Sequence, residues 1–276
     1  MEGKVNRFLV AIYHALVVQF KRNPFKTKKH MKKEISYLDG SEQSMIPILR
    51  HGLGFINSDS RKKMVQLEEF SAGTGISDLT VFTLDKRILR EQKQSNRKPL
   101  TARNQIRVLT AILQSDGVTS DELVAKTKLT KPTLLKILDG LKDAHIVDDN
   151  NNTLRANYSL KTASTENIVA IEAKVKDWKS GIRQAMRYKE YADFSYLAIY
   201  ESHISSCLNN ISVFEKLGIG LIGVSDTGLT VHLEAKRSDM TSFESKLLAF
   251  ERMVSAVNSR HETYVARNGF VTNSSR

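Results

Sequence analysis

Cysteine is nearly absent from this 276-residue chain. Cys207 stands alone, which rules out an internal disulfide framework and suits a reducing, cytoplasmic compartment. Long apolar runs are missing too. Phe8 to Phe20 (FLVAIYHALVVQF) is mostly apolar, but it falls short of the roughly 20 residues that a membrane span needs. Gly218, Gly220 and Gly223 stand singly in a strand-like stretch and form no phosphate loop. His203, His232 and His261 show no metal-ligand spacing and read as surface or packing residues. No internal repeat is visible. Acids are in deficit, 30 against 42 basic residues, for a net charge of +12. That balance favours an anionic partner.

Much of the excess is local. Residues 1–33 carry Lys4, Arg7, Lys21, Arg22, Lys26, Lys28, Lys29, Lys32 and Lys33 against Glu2 alone. The remaining chain is only mildly basic. The extension reads in three ways: a helix packed on the body, sequence upstream of a true start at Met31, or a weak membrane-surface helix. A membrane partner is not expected for the body of the chain.

Apolar spacing predicts the remaining elements. Ser41–Arg50 reads as a short helix capped by Ser41, with Met45, Ile46 and Leu49 on one face. Val65–Phe70 and Ile76–Leu84 read as strands around the turn cluster Ser71–Gly75. Asp85–Lys98 reads as a polar, basic connector. Beyond residue 160, strand 168–174, helix 178–192, strand 194–200, helix 203–217, strands 219–225 and 228–236 and helix 241–258 follow. Residues 268–276 look like a loose tail.

Residues 98–160 form a separate block. Ile106, Leu109, Ile112 and Leu113 mark one helix face. Thr119-Ser-Asp-Glu122 has the spacing of a capping box opening a second helix, 120–127. Thr130 is placed to cap a third, with Pro132 in its first turn and Leu134, Leu135, Ile137, Leu138 and Leu141 expected to be buried. His145–Val147 and Leu154–Leu160 then suit two short strands around the polar turn Asp148–Asn152. This pattern resembles winged helix-turn-helix DNA-binding domains, including MarR-type regulators. The resemblance implies that Lys131, Thr133 and Lys136 enter the major groove and that Arg155 meets a phosphate or the minor groove. Nine basic residues against seven acids over 98–160 imply modest, salt-sensitive phosphate affinity.

Glu-x-Lys occurs at Glu2, Glu91, Glu172, Glu234 and Glu244, so context must choose. Glu172-Ala173-Lys174 closes the apolar run IVAI, and strand alternation puts Glu172 and Lys174 on one face. Glu234-Ala-Lys236 also ends a strand-like run, but it lacks a convincing upstream acid strand. An antiparallel pairing of 82 with 168 and 80 with 170 brings Asp78 beside Glu172. The inserted block then leaves through the opposite tip of that hairpin. Two facing acids repel and call for a cation. Oxygen ligands favour Mg2+ or Mn2+.

With these residues in place the chain resembles the PD-(D/E)XK, restriction-endonuclease-like nuclease superfamily, with its core order of helix, three strands, helix, strand. The family's proline before the metal-binding acid is absent here; Ser77 stands there. The resemblance implies an α/β fold, a mixed sheet flanked by helices, split into 34–85 and 161–267 around the winged helix. It implies metal held by Asp78, Glu172 and the Ala173 carbonyl, with Glu69 as a further acid. Catalytic residues would be Asp78, Glu172, Lys174, Gln184 and the first-helix acid Glu42, with Tyr188 completing a Gln…Tyr feature. Lys174 would position the attacking water, and Gln184 would orient that water or contact a phosphate. The implied activity is metal-dependent DNA hydrolysis, with a homodimer among the expected assemblies. The rival expectation is a non-catalytic DNA-binding transcriptional regulator that retains the fold.

Overall fold

The structure is a computed structural model describing residues 38–54, 62–94, 97–157, 167–259 and 265–266. The expected N-terminal helix, the basic segment 1–33 and the tail 268–276 lie outside the described residues. The elements, in chain order, are α1 (Met45–Gly54), β1 (Lys62–Phe70), β2 (Ser77–Asp85), α2 (Lys86–Gln94), α3 (Arg103–Leu113), α4 (Ser120–Thr127), α5 (Lys131–Asp143), β3 (Val147–Asn150), β4 (Thr153–Ala156), β5 (Asn167–Lys174), α6 (Trp178–Tyr188), β6 (Phe194–Tyr200), α7 (Ser205–Leu208), α8 (Ile211–Leu217), β7 (Gly220–Ser225), β8 (Gly228–Leu233), α9 (Phe243–Ser259) and β9 (Val265–Ala266).

The chain is α/β, built on a mixed sheet in the order β8-β7-β6-β5-β2-β1-β9. β5, β6 and β7 run parallel, joined through helices, and the other neighbours are antiparallel. Such a sheet must cover both faces, and strand alternation divides the apolar side chains accordingly. Leu79, Val81, Ile171 and Ala173 pack against Met45, Ile48 and Leu49 of α1. Phe82, Leu84, Ile168 and Ala170 face the opposite side, against Leu247, Phe250 and Met253 of α9. The β2–β5 register, Phe82 with Ile168 and Thr80 with Ala170, is the one the hydrophobic alternation predicts.

Between β2 and β5 lie α3, α4, α5 and the β3–β4 ribbon, with Val118 bridging to Leu154 as a third strand contact. Thr119 caps α4 with a complete capping box: its side chain accepts from Glu122 N while Glu122 Oε2 accepts from Thr119 N. Thr130 precedes α5, but its hydroxyl meets Thr133 Oγ1 rather than a backbone N–H. Leu134, Leu138 and Leu141 form the buried stripe of α5. Leu135 falls outside that i, i+4, i+7 stripe and is 44% exposed, so its expected burial is corrected.

Other expectations are corrected as well. The connector after Asp85 is helical as α2, because Lys, Arg, Leu, Glu and Gln are strong helix formers and Ile88 anchors it in the core. The insertion does not stay at the hairpin tip. α3 begins beside Ser71–Gly75, at the Asp78 end of the sheet, where Arg103 donates to the Gly73 carbonyl and Glu251 of α9 accepts from Leu100 N. The helix expected over 203–217 is broken into a 3-10 turn, α7 and α8. α6 ends at Tyr188 and β8 at Leu233, earlier than expected. Glu42 stands in the turn before α1 rather than on the helix, and Ser41 Oγ accepts from Ser44 N there. Among the described residues no helix is long and apolar enough to cross a membrane.

Candidate active site at the end of the central strands

β5 carries Ile168, Ala170, Glu172 and Lys174 on one face, because side chains alternate along a strand. Its apolar part is sealed in the core, and the run ends at the sheet's edge with two charged groups. Extending the β1–β2 and β2–β5 ladders by one step sets Glu69, Asp78 and Glu172 in a row across three strands. Glu69 adopts φ +49 there, a left-handed conformation that a glutamate enters only with strain.

Glu172 is 1% exposed. Its Oε1 accepts from Lys174 Nζ at 2.6 Å, and Lys174 also donates to the Ala173 carbonyl at 3.1 Å and to Glu42 Oε2 at 3.2 Å. Asp78 Oδ2 accepts from the Ala173 N–H at 2.7 Å, while Oδ1 meets no donor among the described residues. Residues 172–174 are therefore tied to Asp78 through the backbone and to Glu42 through the lysine.

Tyr188, at the end of α6, reaches the same place. Its hydroxyl lies 2.5 Å from Glu172 Oε2 and 2.6 Å from the Ile76 carbonyl. A phenol has one proton, and a carbonyl oxygen only accepts. Both contacts are hydrogen bonds at once only when Glu172 carries a proton on Oε2. Burial raises the Glu172 carboxyl above its ordinary range, against the lowering effect of Lys174 and Tyr188, and Asp78 adds to the rise. Asp78 is also raised, first by burial and then by the charges of Glu42 and Glu69. Burial pulls Lys174 down, but its bond to Glu172, the Glu172 charge and Glu42 outweigh burial and hold it above its usual value. Burial and the neighbouring Glu172 push the Tyr188 phenol far up, so it serves as a donor and not as a base.

Glu172, Glu42 and Asp78 thus act on one lysine, with the charge of Glu69 felt at Asp78, an excess of negative charge that a cation would relieve. The donors suit a hard ion: the Asp78 and Glu172 carboxylates and the Ala173 carbonyl are all oxygen. Asp78 Oδ1 is free to bind, whereas both Glu172 oxygens are engaged and would have to exchange a partner. Among the described residues no three His, Cys, Asp or Glu side chains stand together as a ready-made metal cluster.

The other expected residues are spread out. Gln184 sits on α6 one turn before Tyr188, half-buried, with no hydrogen bond among the described residues. Lys131 opens α5 in an exposed ion pair with Asp121, 2.9 Å away. Thr133 and Lys136 are exposed on the same helix, and Arg155 is exposed on β4. Glu234, from the rival Glu-x-Lys, instead accepts from Tyr196 OH at 2.7 Å, and Lys236 is exposed, so that pair forms no charged site.

Sequence reasoning missed several groups. Tyr191 OH meets Ser77 and Thr80, each at 3.3 Å, behind the acid row. Glu251 is fully buried and accepts from Arg97 at 2.6 Å and from Leu100 N, which anchors the start of the insertion to α9. These partners lie far apart in sequence, so no local pattern announces them. No known protein family, curated protein or solved structure matches the chain.

Proposed function

We propose that the chain is a metal-dependent deoxyribonuclease with a restriction-endonuclease-like core and an inserted winged helix that grips DNA. The observation that carries this reading is the convergence of Asp78, Glu172 and Lys174 at one strand end, with the Ala173 backbone between them. The order of elements around them, helix, two strands, then strand, helix and strand, agrees with the resemblance drawn from the sequence.

In this reading Asp78, Glu172 and the Ala173 carbonyl hold Mg2+ or Mn2+, with Glu69 beside Asp78. The ion, when bound, lowers the pKa of a water and stabilises charge on the phosphate. With Glu172 ionised to hold such an ion, the Tyr188 phenol would donate to its Oε2. Lys174 orients the attacking water and offsets negative charge developing on the phosphate. Glu42 keeps the ammonium aimed at the site. Gln184 contacts the water or the backbone phosphate. Lys131, Thr133, Lys136 and Arg155 hold the duplex, in a cytoplasmic setting. Cutting both strands calls for two sites, so a homodimer belongs to the proposal.

One observation favours a second reading, a non-catalytic DNA-binding regulator. Both Glu172 oxygens are already engaged, one by Lys174 and one by Tyr188, as in a purely structural buried pair. The two readings separate in one experiment: incubation of the full chain with plasmid and oligonucleotide substrates in Mg2+ or Mn2+, beside Asp78→Ala and Lys174→Ala. Cleavage by the wild type that both variants lose supports the nuclease. Specific binding without metal and no cleavage of any substrate supports the regulator. Cleavage that survives both substitutions refutes the site.

A further inference from the structure

The loop Ser71–Gly75 links Glu69 to Asp78 and carries a second charged feature on its outer side. Arg252 of α9 is half-buried, yet it donates only to backbone: Nε to the Thr101 carbonyl at 3.2 Å and an Nη to the Ser71 carbonyl at 3.1 Å. Arg103, the first residue of α3, donates to the Gly73 carbonyl at 3.4 Å. Neither guanidinium forms an ion pair with an acid among the described residues.

The two charges nevertheless converge. A Cβ placed on Gly73 would lie 3.0 Å from an Nη of Arg103 and 3.6 Å from an Nη of Arg252. The two groups are therefore within about 7 Å of each other, inside the roughly 8 Å screening length of physiological salt. Arg252 is destabilised as a cation first by burial and then by Arg103. Of the nearby acids, Glu68 is paired with Arg50, and Glu69 lies in the row with Asp78. Two arginines held together from separate elements, without an intervening carboxylate, form a site that an anion completes.

Further features fit. α3 has Ala102 at its N-cap, no side-chain cap and no acid in its first turn, so its positive end is left open beside Arg103. Gly73, at φ +102, leaves the space between the arginines clear. Thr74 Oγ1 is buried without a hydrogen-bond partner among the described residues. A shallow open hollow lined by Arg252, Thr101, Ser71 and Ser255 runs on to Glu69, beside the acid row. On the inner side of the loop Gly75 abuts Tyr188, the residue that holds Glu172.

We propose that Arg103 and Arg252 clamp a backbone phosphodiester of nucleic acid next to the bond presented to the acid row. The clamp rests on the nuclease reading for its position relative to the reaction, and it names the phosphate group, not a base, as what is recognised. It also gives the insertion a task at its root: α3 carries half of the clamp, so docking of the insertion on α9 assembles it.

The test is fluorescence anisotropy of a labelled duplex with the full chain, without divalent metal, across a salt series. The proteins are wild type, Arg103→Gln, Arg252→Lys, and Arg252→Gln where circular dichroism shows it folded. Loss of a phosphate contact lowers the salt slope by about 0.9 per arginine. Arg103→Gln is exposed and expected to fold; it should weaken binding about tenfold on any sequence, with the slope reduced by about 1. Arg252→Lys should keep the slope and lose the fork geometry, with a smaller loss. Unchanged affinity and slope in Arg103→Gln overturn the proposal. Inorganic phosphate that binds the wild type at millimolar concentration and not Arg103→Gln, yet leaves DNA affinity untouched, also overturns it, because the pair is then a small-anion site. Because binding is measured without metal, the clamp and the catalytic site are tested independently. A weakened Arg103→Gln in a chain that never cleaves supports the clamp and removes the nuclease.

Discussion

Replacing Lys174 with Met removes an ammonium of similar length from a carboxylate that is 1% exposed, leaving the lysine's own neighbours in place. Removing one partner of a buried ion pair costs about 3–5 kcal/mol, because the other charge is left uncompensated. For a chain of this size that is a drop in Tm of roughly 6–20 °C. The loss depends on pH, and its sign follows from the charges. Without Lys174, burial and Asp78 continue to raise Glu172 while one lowering influence is gone. The folded state then holds a proton that the unfolded chain, with a carboxyl pKa of about 4.3, releases. When the folded state binds more protons, stability falls as pH rises. The deficit of Lys174→Met relative to wild type is therefore small near pH ~4 and grows through the folded-state pKa of Glu172 to its full size above it. Urea denaturation of both proteins across that range measures it. Magnesium should recover part of the deficit at neutral pH, since an ion held only by the folded state stabilises it by about 2.7 kcal/mol at a hundredfold excess over Kd. A deficit below about 1 kcal/mol, or one that does not change with pH, would refute the claim that Glu172 is a buried charge held by this lysine.

Tyr188→Phe should destabilise by about 1–3 kcal/mol, since the Ile76 carbonyl and the buried Glu172 carboxyl both lose the hydroxyl as a partner. Tyr191→Phe should cost less, because its two contacts are long at 3.3 Å; equal losses in thermal denaturation would contradict this ranking. Thr119→Ala should remove about 1 kcal/mol by opening the capping box of α4. Hydrogen exchange should quicken in residues 119–127 and leave β2 and β5 unchanged, and a global acceleration would count against a local role.

The central strands were legible because their information is local. Period-two alternation in ISDLTVFTL and NIVAIEAK assigns Asp78 and Glu172 to the face of Phe82 and Ile168, and a one-residue slip would expose every apolar side chain of a strand. The capping box was legible for the same reason, since its two members are three residues apart. Leu135 was misread because a leucine-rich helix offers more apolar positions than one stripe can bury. α2 was misread because a polar sequence with a single well-buried Ile88 looks like a connector until the core supplies its anchor.

Composition and periodicity by themselves determined most element types, the β2–β5 register and hence the meeting of Asp78, Glu172 and Lys174. Those features follow from which side chains must leave water along a single segment. Tertiary structure alone decided what those groups touch and what they need. The Tyr188 phenol, with two acceptors for one proton, comes from a helix packed across the sheet. The Glu42 contact comes from the turn before α1. The return of the insertion to the Asp78 end depends on Glu251 accepting from Arg97 and Leu100, a contact spanning 151 residues or more. The meeting of Arg103 with Arg252 over Gly73 has the same origin. Hydrogen bonds and charge pairs between distant segments leave no period in a sequence, because nothing in either segment's own burial requires the other.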